Sequence, residues 1–145
     1  LAAIQRRQGA WRAAITTLSE LVAAKDEHSY LVGSYRSVHL DDAQLAIGWI
    51  HYHGLGEYES AVAAFDGLVE RFPSSVLVDD ALWGKLNALA AAGRSQQAKA
   101  VGRTLLERWP DSRHAKAARQ LVQGQARPLA SEAGANSRDL DWSAL

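Results

Sequence analysis

The sequence predicts an all-α protein, a right-handed α-solenoid of antiparallel helix pairs with about two and a half repeats and a C-terminal capping helix. One pattern of glycine, alanine, apolar, aromatic and proline residues occurs twice at a spacing of 37 residues, and partly once more 47 residues earlier. The 145 residues include only three prolines, so long stretches can be helical. Hydrophobic residues make up 48% of the chain, which is ordinary for one globular domain.

Each position of the repeated pattern has a physical role. The glycine ends one helix in a left-handed conformation, and the alanine lets two helices approach closely. Large apolar residues four and seven places after the alanine form one helical stripe. The aromatic–proline pair ends the second helix, because a residue before proline avoids the helical region. The three copies are Gly56, Ala61, Phe65, Leu68, Phe72 and Pro73; Gly93, Ala98, Gly102, Leu105, Trp109 and Pro110; and Gly9, Ala14, Leu18 and Leu21.

The first two copies predict four helices. A remnant helix at 1–8 is ended by Gly9, and its partner follows at 10–24. The second pair is predicted at 42–53 and 58–71. Residues 26–40 are apolar enough to open a long first helix or to form an extra turn on the core, and both alternatives remain.

The third copy predicts helices at 75–92 and 95–108, and a polar-faced capping helix follows at 112–123. Ser74-Ser75 and Asp111-Ser112 are good N-caps for the helices that follow them. The repeat domain thus covers 1–123, with repeats at about 1–25, 41–73 and 75–110. Residues 124–145 are rich in glycine, alanine and serine, which predicts a flexible tail.

The pattern resembles the tetratricopeptide repeat. The matching residues are Gly56, Tyr58, Ala61, Phe65, Leu68 and Pro73, with Gly93, Ala98, Leu105 and Pro110 in the third copy. The spacing of 37 exceeds the ~34 residues usual in that family. Ten additional residues (47 minus 37) separate copies one and two, and Ile47-Gly48 lies one residue too far from Gly56.

Two further resemblances concern members of this family. Phe72-Pro73-Ser74-Ser75 and Trp109-Pro110-Asp111-Ser112 look like bacterial envelope members, such as the Tol–Pal-associated periplasmic protein and the lipoprotein of the outer-membrane β-barrel assembly machine. Residues 47–56 resemble the related Sel1-type repeat. These resemblances imply a periplasmic or envelope-associated protein, with the cytoplasm as the alternative.

The family resemblance implies a scaffold or adaptor that binds a peptide or partner protein on its concave face, with no enzymatic activity. One alternative is self-association through the unpaired apolar edge at the N-terminal helix. Another is a non-catalytic accessory domain of a larger envelope enzyme acting on cell wall. The chain begins at Leu1 inside a predicted helix and contains no methionine, so we expect it to be part of a longer protein.

The candidate partner-binding residues lie on the predicted first helices of copies two and three, which line the concave face in this family. Three of them share one face of the copy-three helix by i, i+3 and i+7 spacing. Exposed aromatic side chains anchor interfaces, so we expect a peptide-binding wall here. The alternative is that Trp49 and Trp83 belong to the core. The six candidates are Trp49, Ile50, His53, Asp80, Trp83 and Asn87.

A further candidate lies in the predicted tail. The segment 139–145 places Trp142 between acidic residues, with Asp139 and Leu140 beside it. We predict that this motif lies in the groove of its own or a neighbouring copy, imitating a partner.

Charge and composition argue against other functions. Lysine plus arginine equals aspartate plus glutamate at 16 each, which is unlike a nucleic-acid or anionic-membrane footprint. The chain has no cysteine, and its histidines lack metal-ligand spacing, so neither a metal nor a cofactor is predicted. The pairs Asp41-Asp42 and Asp79-Asp80 precede equivalent helices, which favours capping and dipole roles over catalysis.

Overall fold

A computed structural model describes residues 2–28 and 40–131, and within these ranges all of the regular secondary structure is helical. Each helix packs on the next one along the chain, and α2 also contacts α4. This arrangement of consecutive helix pairs confirms the predicted solenoid. The elements are α1 (Ala2–His28), α2 (Leu40–Trp49) with a π-helical extension (Ile50–Leu55), α3 (Tyr58–Arg71), α4 (Val78–Ala91), α5 (Ser95–Arg108) and α6 (Ala115–Val122).

Helix α1 corrects the predicted helix break at Gly9. The helix is continuous through this glycine, and residues 5–10 are exposed. A break would sacrifice helical hydrogen bonds, and only antiparallel packing of the two halves would compensate. Because residues 5–10 are exposed, packing of these residues does not compensate for a break, and one uninterrupted helix is favoured. The ambiguous stretch 26–40 lies largely outside the described residues.

The π-helical extension explains the misplaced Ile47-Gly48 pair. A π-helical turn accommodates one more residue than an α-helical turn. The first helix of the second pair therefore takes up its additional residue in its last turn, and it runs from 40 to 55 rather than from 42 to 53. Gly56 ends it with a left-handed φ of 64°, and Gly93 follows α4 with a φ of 80°.

The centre of the core is the ring of Phe65, which lies between two glycines. Phe65 belongs to α3 and is fully buried. A Cβ added at Gly48 would lie 2.5 Å from its Cε1 atom, and one added at Gly84 would lie 2.6 Å from the same atom. Helices α2 and α4 therefore approach the ring from two sides, and only glycine fits at either contact.

A pair of serine–aspartate hydrogen bonds links successive repeats. Ser75 donates to Asp41, and Ser112 donates to Asp79 over 2.6 Å. Each serine hydroxyl also accepts the backbone N–H two residues later, at 3.0 and 3.2 Å. Helices α4 and α6 begin three residues after these serines, later than predicted. The turn before each helix is thereby fastened to the first helix of the preceding repeat.

Candidate functional site

The six predicted binding residues divide into two groups. Trp49, Ile50 and His53 are partly exposed on α2 and its π-helical extension. The other three, on α4, are buried: Asp80, Trp83 and Asn87. The contacts that each of these six side chains makes within the chain show which of them are available to a ligand.

Both tryptophans pack on neighbouring rings. The Trp49 ring meets Phe65 edge-on at a centroid distance of 5.2 Å and stacks on His53 at 5.1 Å. Trp83 is only 8% exposed and stacks on His114 at 5.4 Å. These contacts favour the alternative in which the tryptophans support the fold.

Asp80 is paired with two side chains of the turn before α6. Its Oδ1 atom lies 2.5 Å from Arg113 Nη2 and 2.6 Å from His114 Nε2. The hydrogen bond to Asp80 and the charge of that carboxylate raise the pKa of the Arg113 guanidinium above its ordinary value. Asp80 thus ties α4 to the turn before α6.

Asn87 contacts a segment that lies outside the helices. Residues 127–131 have no regular secondary structure and lie against the first helices. Asn87 is fully buried, and its Oδ1 atom accepts the Leu129 backbone N–H over 2.9 Å. Its Nδ2 group donates to the Trp83 carbonyl over 2.9 Å, which fixes the orientation of the amide.

Three further side chains hold the same segment. The Tyr52 hydroxyl donates to the Leu129 carbonyl. His53 Nδ1 donates to the Ala130 carbonyl over 3.1 Å. The Tyr58 hydroxyl lies 2.9 Å from the hydroxyl of Ser131, which is only 4% exposed. We call the surface formed by Tyr52, His53, Tyr58 and Asn87 the groove, and residues 127–131 the docked segment.

The tyrosines were not predicted as site residues. Tyr52 is fully buried, and its ring packs on Tyr58 at 5.2 Å and edge-on against Trp49 at 5.7 Å. Burial, with a smaller contribution from Tyr58, raises the pKa of Tyr52 far above its ordinary value, so the hydroxyl stays protonated and donates. The signal in the sequence was the position of Tyr52 next to the candidate His53, but the π-helical turn that orients it was not visible.

A glycine turn returns the chain to the groove. Gly124 has a φ of 72° and donates its N–H to Leu121 over 3.1 Å, while Gln125 donates to Gln120 over 2.8 Å. A Cβ on Gly124 would meet nothing within 4 Å, so its conformation alone requires glycine. The predicted tail therefore begins with a turn and the docked segment. Its motif Asp139, Leu140 and Trp142 lies outside the described residues.

An ion-pair cluster fastens α1 beside the groove. Glu57 accepts from Arg12 and from His51 Nδ1, the latter at 3.0 Å. Burial alone would raise the pKa of the Glu57 carboxyl, but hydrogen bonds from Arg12 and His51, and their charges, hold it below its ordinary value. The Trp11 ring covers Gly54, where a Cβ would lie 2.8 Å from the ring. Helix α1 thus holds the π-helical extension in place.

Two kinds of site are not found among the described residues. In ranges 2–28 and 40–131, no group of three or more acidic or histidine side chains is placed to hold a metal ion. No helix in those ranges combines the length and apolarity needed to cross a bilayer.

The fold and the groove together define a protein built from repeated helix pairs. Residues 42–75 match the family model of the tetratricopeptide repeat, and they comprise most of α2, its extension, α3 and the turn that follows. The match supports a tetratricopeptide-like repeat protein. No curated protein and no solved structure matches the chain. The resemblances to envelope members and to the Sel1-type repeat stay predictions.

Proposed function

We propose that this chain is a non-catalytic interaction module that binds a partner protein in the groove. Tetratricopeptide repeats generally mediate protein–protein interaction, which sets the class of function. The observation that carries the proposal is the set of polar groups on the first helices, Asn87, Tyr52 and His53, all directed at a polypeptide backbone.

The surroundings of these groups suit a binding site. Rigid aromatic rings flank the polar atoms, with Trp49 stacked on His53 and Tyr52 packed on Tyr58. A small number of precisely positioned polar groups within an aromatic lining is typical of sites that hold a ligand in one orientation. The second helices α3 and α5 provide the support behind this wall.

Site-specific photo-cross-linking tests the proposal. A photoreactive residue is placed at His53, in the groove, and in a control variant at Thr104, which is exposed on α5. We expect a partner protein to be cross-linked from position 53 and not from position 104, and a purified partner to lose affinity for a His53→Ala chain. Cross-linking from position 104 alone would contradict the proposal.

A periplasmic or envelope location is a further proposal. It rests on the resemblance of the segment Phe72-Pro73-Ser74-Ser75, and of its counterpart at 109–112, to bacterial envelope members of the family. Fractionation of cells producing the full-length protein tests it, and a strictly cytoplasmic protein would refute it.

Self-association is the second candidate function. In α1, Leu21 is 51% exposed, although Ile15 and Leu18 on the same helix are packed on the core. We propose that a second copy covers this edge when the chain is concentrated. Light scattering that shows a monomer at every concentration would exclude it.

A further inference from the structure

We infer that the groove is a receptor for an extended polypeptide backbone, and that residues 127–131 are its intramolecular ligand, which a partner segment must displace. The inference rests on the proposed function and adds two points to it. It specifies the chemical form of the ligand, and it states what occupies the site in the isolated chain.

Most of the contacts in the groove recognise the main chain of the docked segment. The Leu129 N–H and C=O and the Ala130 C=O are bonded to Asn87, Tyr52 and His53 respectively. These groups are common to all residues except proline, which lacks the N–H. The side chain of Leu129 is itself 41% exposed. The groove therefore accepts many sequences, provided that the segment is extended and offers an N–H to Asn87.

The docked segment covers two polar groups of the groove and supplies their hydrogen-bond partners. Asn87 and Tyr52 are both 0% exposed when the docked segment is in place. Without a ligand, Asn87 Oδ1 and the Tyr52 hydroxyl would lose the only hydrogen bonds that they make within residues 2–28 and 40–131. An occupant that covers these atoms without pairing them would be strongly disfavoured, so the two residues favour an occupant that offers a backbone N–H and a backbone C=O.

At one position of the docked segment, the groove also contacts the side chain. Ser131 is buried, and its hydroxyl contacts Tyr58, two residues after the amide that Asn87 binds. Pro128 favours an extended conformation in the residue before it. The preferred ligand is therefore an extended segment with a small hydroxyl residue two places after the amide bound by Asn87.

The connection to α6 makes the docked segment an effective competitor. Only residues 125–128 separate the Gly124 turn from Leu129. A short connection gives an effective local concentration on the order of millimolar. The docked segment then leaves the groove open in only a fraction of the chains. The apparent affinity for a partner segment is the intrinsic affinity multiplied by that open fraction.

A labelled peptide and three versions of the 145-residue chain test the inference. The probe is a fluorescein-labelled peptide of residues 125–131, and its binding is followed by fluorescence anisotropy. The chains are the wild type, Leu129→Pro, which removes the N–H bound by Asn87, and the matched control Leu129→Ala, which keeps it. We expect Leu129→Pro to bind the probe about tenfold more tightly than the other two, which corresponds to about 1.4 kcal/mol.

The outcomes separate this inference from the proposed function. Equal, measurable binding to all three chains would overturn self-occupancy and leave the groove as a binding site. Absence of binding to all three would overturn the inference, whereas the proposed function would still be decided by cross-linking at position 53. Circular dichroism verifies that each chain is folded. If Leu129→Pro does not fold, amide exchange at Leu129 in the wild type decides: an amide as unprotected as in the free peptide overturns the inference.

Discussion

The substitution Gly84→Ala tests the packing that positions the groove. Phe65 is fully buried, and an alanine Cβ at position 84 would lie 2.6 Å from its Cε1 atom and closer still to its Cζ atom, whereas carbon atoms prefer about 3.5 Å or more. The ring would have to move by about 1 Å, but Gly48 closes its other side, where a Cβ would lie 2.5 Å away. Overpacking of this kind costs about 1–3 kcal/mol.

Helix propensity acts in the opposite direction and offsets part of this cost. Alanine is favoured over glycine inside a helix by about 1 kcal/mol. We therefore expect Gly84→Ala to lower the free energy of unfolding by about 1–2 kcal/mol. Urea denaturation followed by circular dichroism measures the change, and the slope of the transition should stay constant.

A second glycine provides the matched control. Gly9 lies inside the continuous helix α1, and a Cβ there would meet nothing within 4 Å. Gly9→Ala should therefore raise the free energy of unfolding, by up to about 1 kcal/mol. A Gly84→Ala chain as stable as the wild type would refute the packing argument. Destabilisation by Gly9→Ala would indicate that the chain turns at this glycine after all.

Three further predictions concern the turn, the cluster and the repeat links. Gly124→Ala should strain the left-handed turn by about 1–2 kcal/mol. The strain should weaken binding of the docked segment to the groove. The Gly124→Ala chain should therefore bind the 125–131 peptide more tightly than the wild type does. The pKa of Glu57 is lowered in the folded chain, so its contribution is complete above the ordinary value of 4.5 and is lost as the pH falls below it. Glu57→Gln should therefore flatten the loss of stability on acidification in urea titrations at several pH values, and an unchanged pH profile would refute the assignment. Ser112→Ala removes the hydrogen bond to Asp79 and should lower the thermal midpoint through a loss of about 1 kcal/mol, whereas an unchanged midpoint would show that the link contributes nothing.

The repeated residues predicted most of the helices because local chemistry determines where they end. Gly56 and Gly93 adopt the left-handed conformation that the pattern requires, and α3 and α5 end just before Phe72-Pro73 and Trp109-Pro110. Gly9 carries the same signal but lies inside a helix. A glycine permits a turn without imposing one, and the part of the chain that the structure describes places no antiparallel helix against residues 5–10 to make the turn favourable.

The candidate site was predicted only in part because its decisive features depend on tertiary contacts. Face periodicity singled out His53 and Asn87 on the first helices, and both contact the docked segment. Periodicity could not predict the π-helical turn that buries Tyr52, or the return of residues 127–131 to the groove. The segment carries no recognisable sequence motif. Most of its contacts with the groove are made by backbone N–H and C=O groups, which nearly every residue type provides. The aromatic–acidic motif at 139–145 stays a prediction.

Amide hydrogen exchange at Leu129 in the full-length chain tests the central claim most directly. If Asn87 in the groove binds the backbone of residues 127–131, this amide should exchange at least about tenfold more slowly than in the free peptide of residues 125–131. An excess of the 125–131 peptide, which competes with the docked segment for the groove, should reduce that protection. Exchange at the free-peptide rate in the isolated chain would contradict the claim.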